Sequence, residues 1–450
     1  MANFIPYDRG QGLLLPPDLR DWVPEDDLAH FVIEAVERVS ISVFKVNHLG
    51  TGKAQYHPRM MLALLIYCYA NGIFSSRRIE RATHRDVAVR FIAADRHPDH
   101  DTIAAFRREN GQAFTESFTQ VLLLAGELGL FKLGMVSIDG TKIDASASKI
   151  KSVRYDRIQV LRARLETDIA ALVAKAEAAD LAGDAPETLP EEIARRERLK
   201  AKLDAAERLE AEARSAAEAD WPAYEDKKRI REARGGAGRK PKPPDDAPPP
   251  ERQTNLVDPD SRLMRKSKHH EYRQAYNAQA VVDADGSQLV LMTTVGQTPS
   301  EQPTFRDVVD ALCRDVGQPD TILADAGYAI GETVTALQDQ GIEMLVAVSG
   351  TQGRRPDDFR PPGPEPAKPR AVLGPWRRRM LETLQTEDAK AKYRRRKCTV
   401  EPVFGIIKSV LGFTRFHLRG LENVKLEWLI VTLDYNAKRL CNMKRVKALA

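Results

Sequence analysis

Three carboxylates stand where a side chain can do chemistry. In "MVSIDGTKIDASAS" an apolar run from Met135 to Ile138 ends on Asp139, and small residues follow. In "TILADAGY" a second apolar run ends on Asp325. Asp-Gly is also an ordinary turn dipeptide, so Asp139 taken alone reads as a strand ending in a turn. Open α/β sheets, however, hold ligands beyond the carboxyl ends of their strands. Two aspartates on adjacent strands repel each other unless a cation lies between them, which makes a divalent metal the natural partner.

The third carboxylate is Glu401, in "YRRRKCTVEPVFGIIK". Val400, Phe404, Ile407 and Leu411 mark the apolar face of a helix. Glu401 and Lys408 are about two turns apart, and Lys397 lies about one turn before Glu401, so all three share one side. Ordinary i,i+4 pairing accounts for a glutamate flanked by cations. Set against the two aspartates, Glu401 instead completes an oxygen cage for two Mg²⁺ or Mn²⁺ ions. Such a cage activates a water or a 3′-hydroxyl on one side and stabilises a leaving oxygen on the other. Lys397, Lys408, Arg394, Arg395 and Arg396 would then neutralise phosphates. Among the remaining polar residues, Asp144 falls past the strand end, and Asp258 and Asp260 read as structural caps. Asp283 and Asp285 read as hairpin-turn residues and Glu332 as a helix start. His269 and His270 suit a phosphate or structural contact better than a metal, and Asn277 and Gln279 are groove-lining candidates.

The elements that must position these groups follow from periodicity. Residues 1–130 are predicted helical, with His57-Pro58 opening a helix that stops at Asn71-Gly72, Ser75 capping the next, and Asp101-Thr102 starting another. Arg77, Arg78, Arg81, Arg85, Arg107 and Arg108 give this region a helix-turn-helix-like basic surface, though a basic helix face is often merely solvated. Residues 150–265 break the composition. Ile158, Leu161, Leu165, Ile169 and Leu172, then Ile193, Leu199, Leu203 and Leu209, predict an antiparallel helical hairpin with a narrow seam. The Pro-, Gly- and charge-rich stretch 226–253 is expected to be a disordered linker. Order resumes with a β-hairpin over 275–295, then a helix, the strand "DTILAD", a helix, the strand "EMLVAVSG", a Pro-rich loop at 355–370 and the final helices. Strand, insertion, hairpin, helix, strand, helix, strand, helix is the order of a mixed α/β sheet with helices on its faces.

Asp139 in "SIDGTKIDASAS", Asp325 in "ADAGY" and Glu401 in "YRRRKCTVEPVFGIIK" together resemble the DDE triad of bacterial insertion-sequence transposases. The resemblance is to the branch with an N-terminal helical transposase domain and a ribonuclease-H-like catalytic domain. It covers the helices of about 45–130, the "DPDSRLM" and "YNAQAVVD" stretches and the chain to about 440, and weakens in the 150–250 insertion. Related families carry a Tyr, Arg, Glu, Lys signature on the glutamate helix. Tyr393, Arg396, Glu401 and Lys408 fit it, with the Tyr-to-Glu spacing one residue longer than usual and the Glu-to-Lys spacing matching.

The resemblance implies a helical DNA-binding and oligomerisation domain over 1–130, a ribonuclease-H-like DDE domain formed by 131–150 and 266–445, and an inserted helical hairpin and linker over 151–265. It implies Mg²⁺-dependent cleavage at transposon ends and transfer of the 3′-OH strand to target DNA, with terminal inverted repeats as substrate. A dimer or larger assembly would hold the two ends. A nuclease of the same fold without strand transfer, and a non-catalytic DNA-binding descendant, remain as alternatives.

Composition permits this without demanding it. Lys and Arg total 69 against 64 Asp and Glu, for a net charge of +5 over 450 residues, which is mild for a polyanion binder. Four scattered cysteines without metal-ligand spacing fit a reducing compartment. The start lacks a signal-peptide pattern, and "MMLALLIYCYA" is too short to span a bilayer. A cytoplasmic protein, on the bacterial nucleoid when bound to DNA, is the expectation.

Overall fold

The sheet is built from strands whose sequences carry the expected apolar runs. The computed structural model describes residues 18–47, 54–182, 188–203, 205–233, 235, 240–265, 270–300, 302–348 and 374–449. Its strands are β1 (Met135–Asp144), β2 (Ser152–Arg154), β3 (Gln253–Asn255), β4 (Arg262–Met264), β5 (Arg273–Asp283), β6 (Val290–Gly296), β7 (Thr321–Ala324) and β8 (Glu343–Val346). Six of them form one sheet in the order β4-β5-β1-β7-β8, with β6 also paired to β5. β1 runs antiparallel to β5 and parallel to β7, and β7 runs parallel to β8. This is the mixed α/β sheet the sequence predicts, in a ribonuclease-H-like arrangement with a helical N-terminal region.

β1 departs from expectation. It does not end at Asp139 but continues through Gly140 to Asp144, because β5 supplies ladder partners along its whole length, from Val136↔Asp283 to Asp144↔Ala275. Parallel pairing with β7 stops at Ser137↔Leu323. Asp139 therefore lies just beyond the reach of β7, on a strand that continues. Asp144 is the last residue of β1 rather than a residue past it.

Helices cover both faces. Here α10 (Gln302–Asp315) and α11 (Gly331–Asp339) follow the N-terminal helices α1 (Leu28–Glu37), α2 (Pro58–Ala70), α3 (Ser76–Arg85), α4 (Val87–Ile92), α5 (His100–Glu109) and α6 (Gly111–Glu127), and the inserted helices α7 (Tyr155–Ala182), α8 (Thr188–Leu203) and α9 (Ala205–Ala233). Then come α12 (Pro375–Thr383), α13 (Glu387–Arg395), α14 (Val400–Gly405) and α15 (Leu421–Leu449). Side chains alternate across a strand. Gln279 of β5 points to α10, where its Nε2 donates to Thr304 Oγ1 at 2.7 Å. Tyr276 points the other way, into an aromatic stack with Phe416, Phe413 and Trp428. Asn277 and Gln279 are thus fully buried within the sheet's packing rather than lining a groove.

The helices of the first 130 residues share one apolar core with this sheet. α15 packs on α1, α2, α6 and β6, and the ring of Phe74 meets that of Phe413 at 5.1 Å. Gly72 closes α2 as expected, at φ +75°, and a Cβ there would lie 2.8 Å from the Leu411 carbonyl oxygen. Two helix starts differ from the reading above. Ser75 makes no side-chain cap, and Asp99, not Asp101, caps α5 by accepting from the Asp101 and Thr102 amides.

Among the described residues of the insertion, α7 packs against α8 and α9 around a small core of Ile158, Leu165 and Leu203. Leu199, expected in the seam, is 45% exposed. The stretch read as a linker is partly ordered: α9 extends to Ala233, and β3 pairs with β2. Its 236–239 segment and the 355–370 loop lie outside the described residues. β4 precedes residue 266 yet pairs with β5 in the main sheet.

Candidate active site

Asp139 and Asp325 meet at one guanidinium. Arg396 Nη2 donates to Asp139 Oδ2 at 2.8 Å and stands 3.9 Å from Asp325 Oδ2. The side chains of Arg396 and Asp139 are 14% and 17% exposed, that of Asp325 41%. Each aspartate is also held by backbone: Asp139 Oδ1 accepts from the Gly140 amide at 2.8 Å and Asp325 Oδ1 from the Gly327 amide at 2.7 Å. Asp325 directly follows β7 and caps a short 3₁₀ turn. The two strand positions, far apart in sequence, are thus brought to one point by the parallel pairing of β1 and β7.

Tyr393 completes this cluster from α13. Its hydroxyl donates to the Ala324 carbonyl at 3.1 Å, one residue before Asp325. Burial pushes the phenol above its ordinary range. Arg396 opposes that shift, and the negative charges of Asp325 and Asp139 add to it. Arg395 turns away, donating to Ala284 O and to Asp285 Oδ1 at 3.2 Å. Arg394 and Lys397 are exposed.

Glu401 and Lys408 do not share one environment, because the expected regular helix is broken. Arg396–Cys398 form a 3₁₀ turn, α14 runs from Val400, and Ile406–Val410 form a π-helical turn. The π-turn changes the angular step, so a seven-residue spacing no longer means one face. Lys408 bonds β1, donating to Thr141 Oγ1 and, at 3.2 Å, to the Lys142 carbonyl. Glu401 is exposed in the first turn of α14. Among the described residues no three His, Cys, Asp or Glu side chains are grouped closely enough to hold one metal ion.

The other acids are structural. Asp144 pairs with Arg273 at 3.3 Å and lies 3.9 Å from Arg415. Asp258 accepts from Tyr276 and from the Gly420 amide, and Asp260 accepts from the Leu421 amide, so "DPD" caps α15. Asp283 binds Ser287 within the hairpin turn, and Glu332 opens α11. His269 lies outside the described residues. Of the N-terminal arginines, Arg77, Arg78, Arg81, Arg85 and Arg108 are exposed. Arg107 is buried, with Nη1 bonding Tyr69 Oη at 2.5 Å and the Phe74 carbonyl. That role depends on a tyrosine in another helix, which no local pattern signals.

Asp139, within β1, and Asp325, just past the end of β7, thus converge on one face of a ribonuclease-H-like sheet. Residues 249–437 match the family model of the transposase DDE domain, and residues 17–109 match that of the transposase domain DUF772. The chain therefore carries a transposase DDE domain behind a second transposase domain, the make-up of an insertion-sequence DDE transposase. No curated protein matches the chain, and no solved structure does. Asp139 lies upstream of the DDE match and meets it through β5, β7 and Arg396. No helix among the described residues is long and apolar enough to cross a membrane.

Proposed function

We propose that this protein is a metal-dependent DNA transposase that cleaves at transposon ends and transfers the 3′-OH strand to target DNA. The reading is carried by Asp139 and Asp325 converging on one positive centre. Two hard oxygen donors around a single cation suit Mg²⁺ or Mn²⁺, so the residues present fit such an ion. Asp139, Asp325 and Glu401 would hold it. When bound, two such ions supply Lewis-acid activation of the attacking oxygen and stabilisation of the leaving one.

The chain's own residues do the positioning. Arg396, released from the aspartates, donates to a backbone phosphate. Lys397 and Arg394, both exposed, neutralise neighbouring phosphates. Lys408 braces β1 two residues beyond Asp139, and Tyr393 holds the end of β7 in place. The domain over 1–130 binds the terminal repeats of double-stranded DNA through the exposed arginines of α3 and assists assembly into a dimer or larger complex. The protein works in the bacterial cytoplasm, on the nucleoid when bound to DNA.

The test is a cleavage assay with Mg²⁺ on duplexes carrying the inverted repeats that flank the gene. Cleavage by the intact chain and its loss in Asp139→Asn, with end binding kept, are expected. Unchanged cleavage in that variant sinks the triad. Precut ends that are never joined to target DNA reduce the activity to that of a nuclease.

A further inference from the structure

A second cationic cluster lies at the C-terminal end of β1. A cleft of about 750 Å³ is lined there by Lys149, Lys151, Arg273, Arg415 and Arg419, with Asp144 and Glu271 as its acids. Five cations face two carboxylates. Asp144 tethers Arg273 and Arg415, yet these arginine side chains stay 69% and 64% exposed. Arg419 Nε donates to the Ser146 carbonyl at 3.0 Å. Lys149 and Lys151 are exposed in one 3₁₀ turn opened by Ser148. Between them Ile150 is 88% exposed, more than any other large apolar side chain among the described residues.

A small anion is gripped by convergent, buried donors, and all five cations here are exposed. Spread point charges, with an exposed apolar side chain beside them in the same 3₁₀ turn, suit a long polyanion with apolar sugars and bases. Asp144 is five residues beyond Asp139 in the same strand, a distance of about 17 Å at about 3.4 Å per residue. A duplex lying along β1 rises about 3.4 Å per base pair, so this is about five base pairs. We infer that the cleft takes the backbone of duplex DNA about five base pairs from the phosphate served by Asp139 and Asp325, with Ile150 packed against its sugars or base edges. The inference rests on the DNA-substrate reading above.

The test is a salt series of binding to a labelled duplex of about 30 base pairs, with the full chain in chelator so that nothing is cut. Lys149→Ala with Lys151→Ala should lower the slope of log affinity against log salt by about 2, since each phosphate contact contributes about 0.9. Arg415→Ala with Arg419→Ala should act likewise, which guards against a folding defect in either pair, and thermal melting of each variant checks the fold. Ile150→Ala should weaken binding several-fold at every salt concentration with the slope unchanged. Wild-type binding with unaltered slopes in both pairs overturns the cleft and leaves the transposase reading standing. No wild-type binding at all sinks the DNA reading and the cleft with it. Displacement of the duplex by pyrophosphate at matched ionic strength would also overturn the assignment, in favour of a small-anion site.

Discussion

The two aspartates and the glutamate of the proposed triad live in different surroundings. Asp139 and Asp325 are fixed by backbone amides and share Arg396, whereas Glu401 faces solvent at the start of a short helix. The ladder of β1 and the turn that follows β7 fix both aspartates in place. The third rides on a segment built of a 3₁₀ turn, a six-residue helix and a π-turn. Under the proposed function, metal loading would divide into a preset half, the two aspartates, and Glu401 as the half left to substrate.

Breaking the preset half should cost the most. Asp139→Asn is expected to lower single-turnover cleavage by about a thousandfold, equivalent to about 4 kcal/mol of barrier. Glu401→Gln should lower it by about a hundredfold while leaving the melting temperature alone, since an exposed side chain carries little stability. A clear drop in its melting temperature would mean that Glu401 is structural. Arg396→Ala removes the internal cation, so Mn²⁺ binding without DNA, read by electron paramagnetic resonance, should tighten about tenfold. Weaker Mn²⁺ binding would instead make Arg396 a scaffold for the aspartates. Tyr393→Phe deletes one hydrogen bond to Ala324 and should cost about 1 kcal/mol in chemical denaturation.

A carboxylate with no role in the site sharpens the contrast. Asp434 on α15 is fully buried, and neither oxygen has a hydrogen-bond partner among the described residues. Burial raises its pKa well above the ordinary range. The folded state then holds a proton that the unfolded chain releases near pH 3.9. Its unfavourable contribution is absent below that pH and grows as pH rises towards the folded value. Asp434→Asn should flatten this fall in stability, as measured by denaturation across pH, with cleavage unchanged.

Much of this was legible in residues. Apolar runs before Asp139 and Asp325 announce strands, and "TVEPVFGIIK" announces a helix with a glutamate near its start. The continuation of β1 was hidden because Asp-Gly reads as a turn when the partner β5 lies more than a hundred residues away. The separation of Glu401 from Lys408 was hidden because spacing assumes a uniform helix, and the π-turn violates it. The burial of Arg107 and of Asn277 depends on neighbours from other elements, which periodicity does not report. Asn436 is a similar case: its side chain bonds both the amide and the carbonyl of Val290, closing an edge of β6 from a helix at the far end of the chain.

The seat of α15 against α2 and α6 bears on how the protein is made. α2 and α6 leave the ribosome before α15, the helix that packs on them, which begins roughly 350 residues after α2. At about 5–20 residues per second that gap is on the order of 20–70 s. Throughout it, apolar faces of α2 and α6 wait without their partner. A nascent chain therefore cannot finish its arginine-bearing region ahead of its sheet, and a product truncated before residue 421 leaves both unfinished.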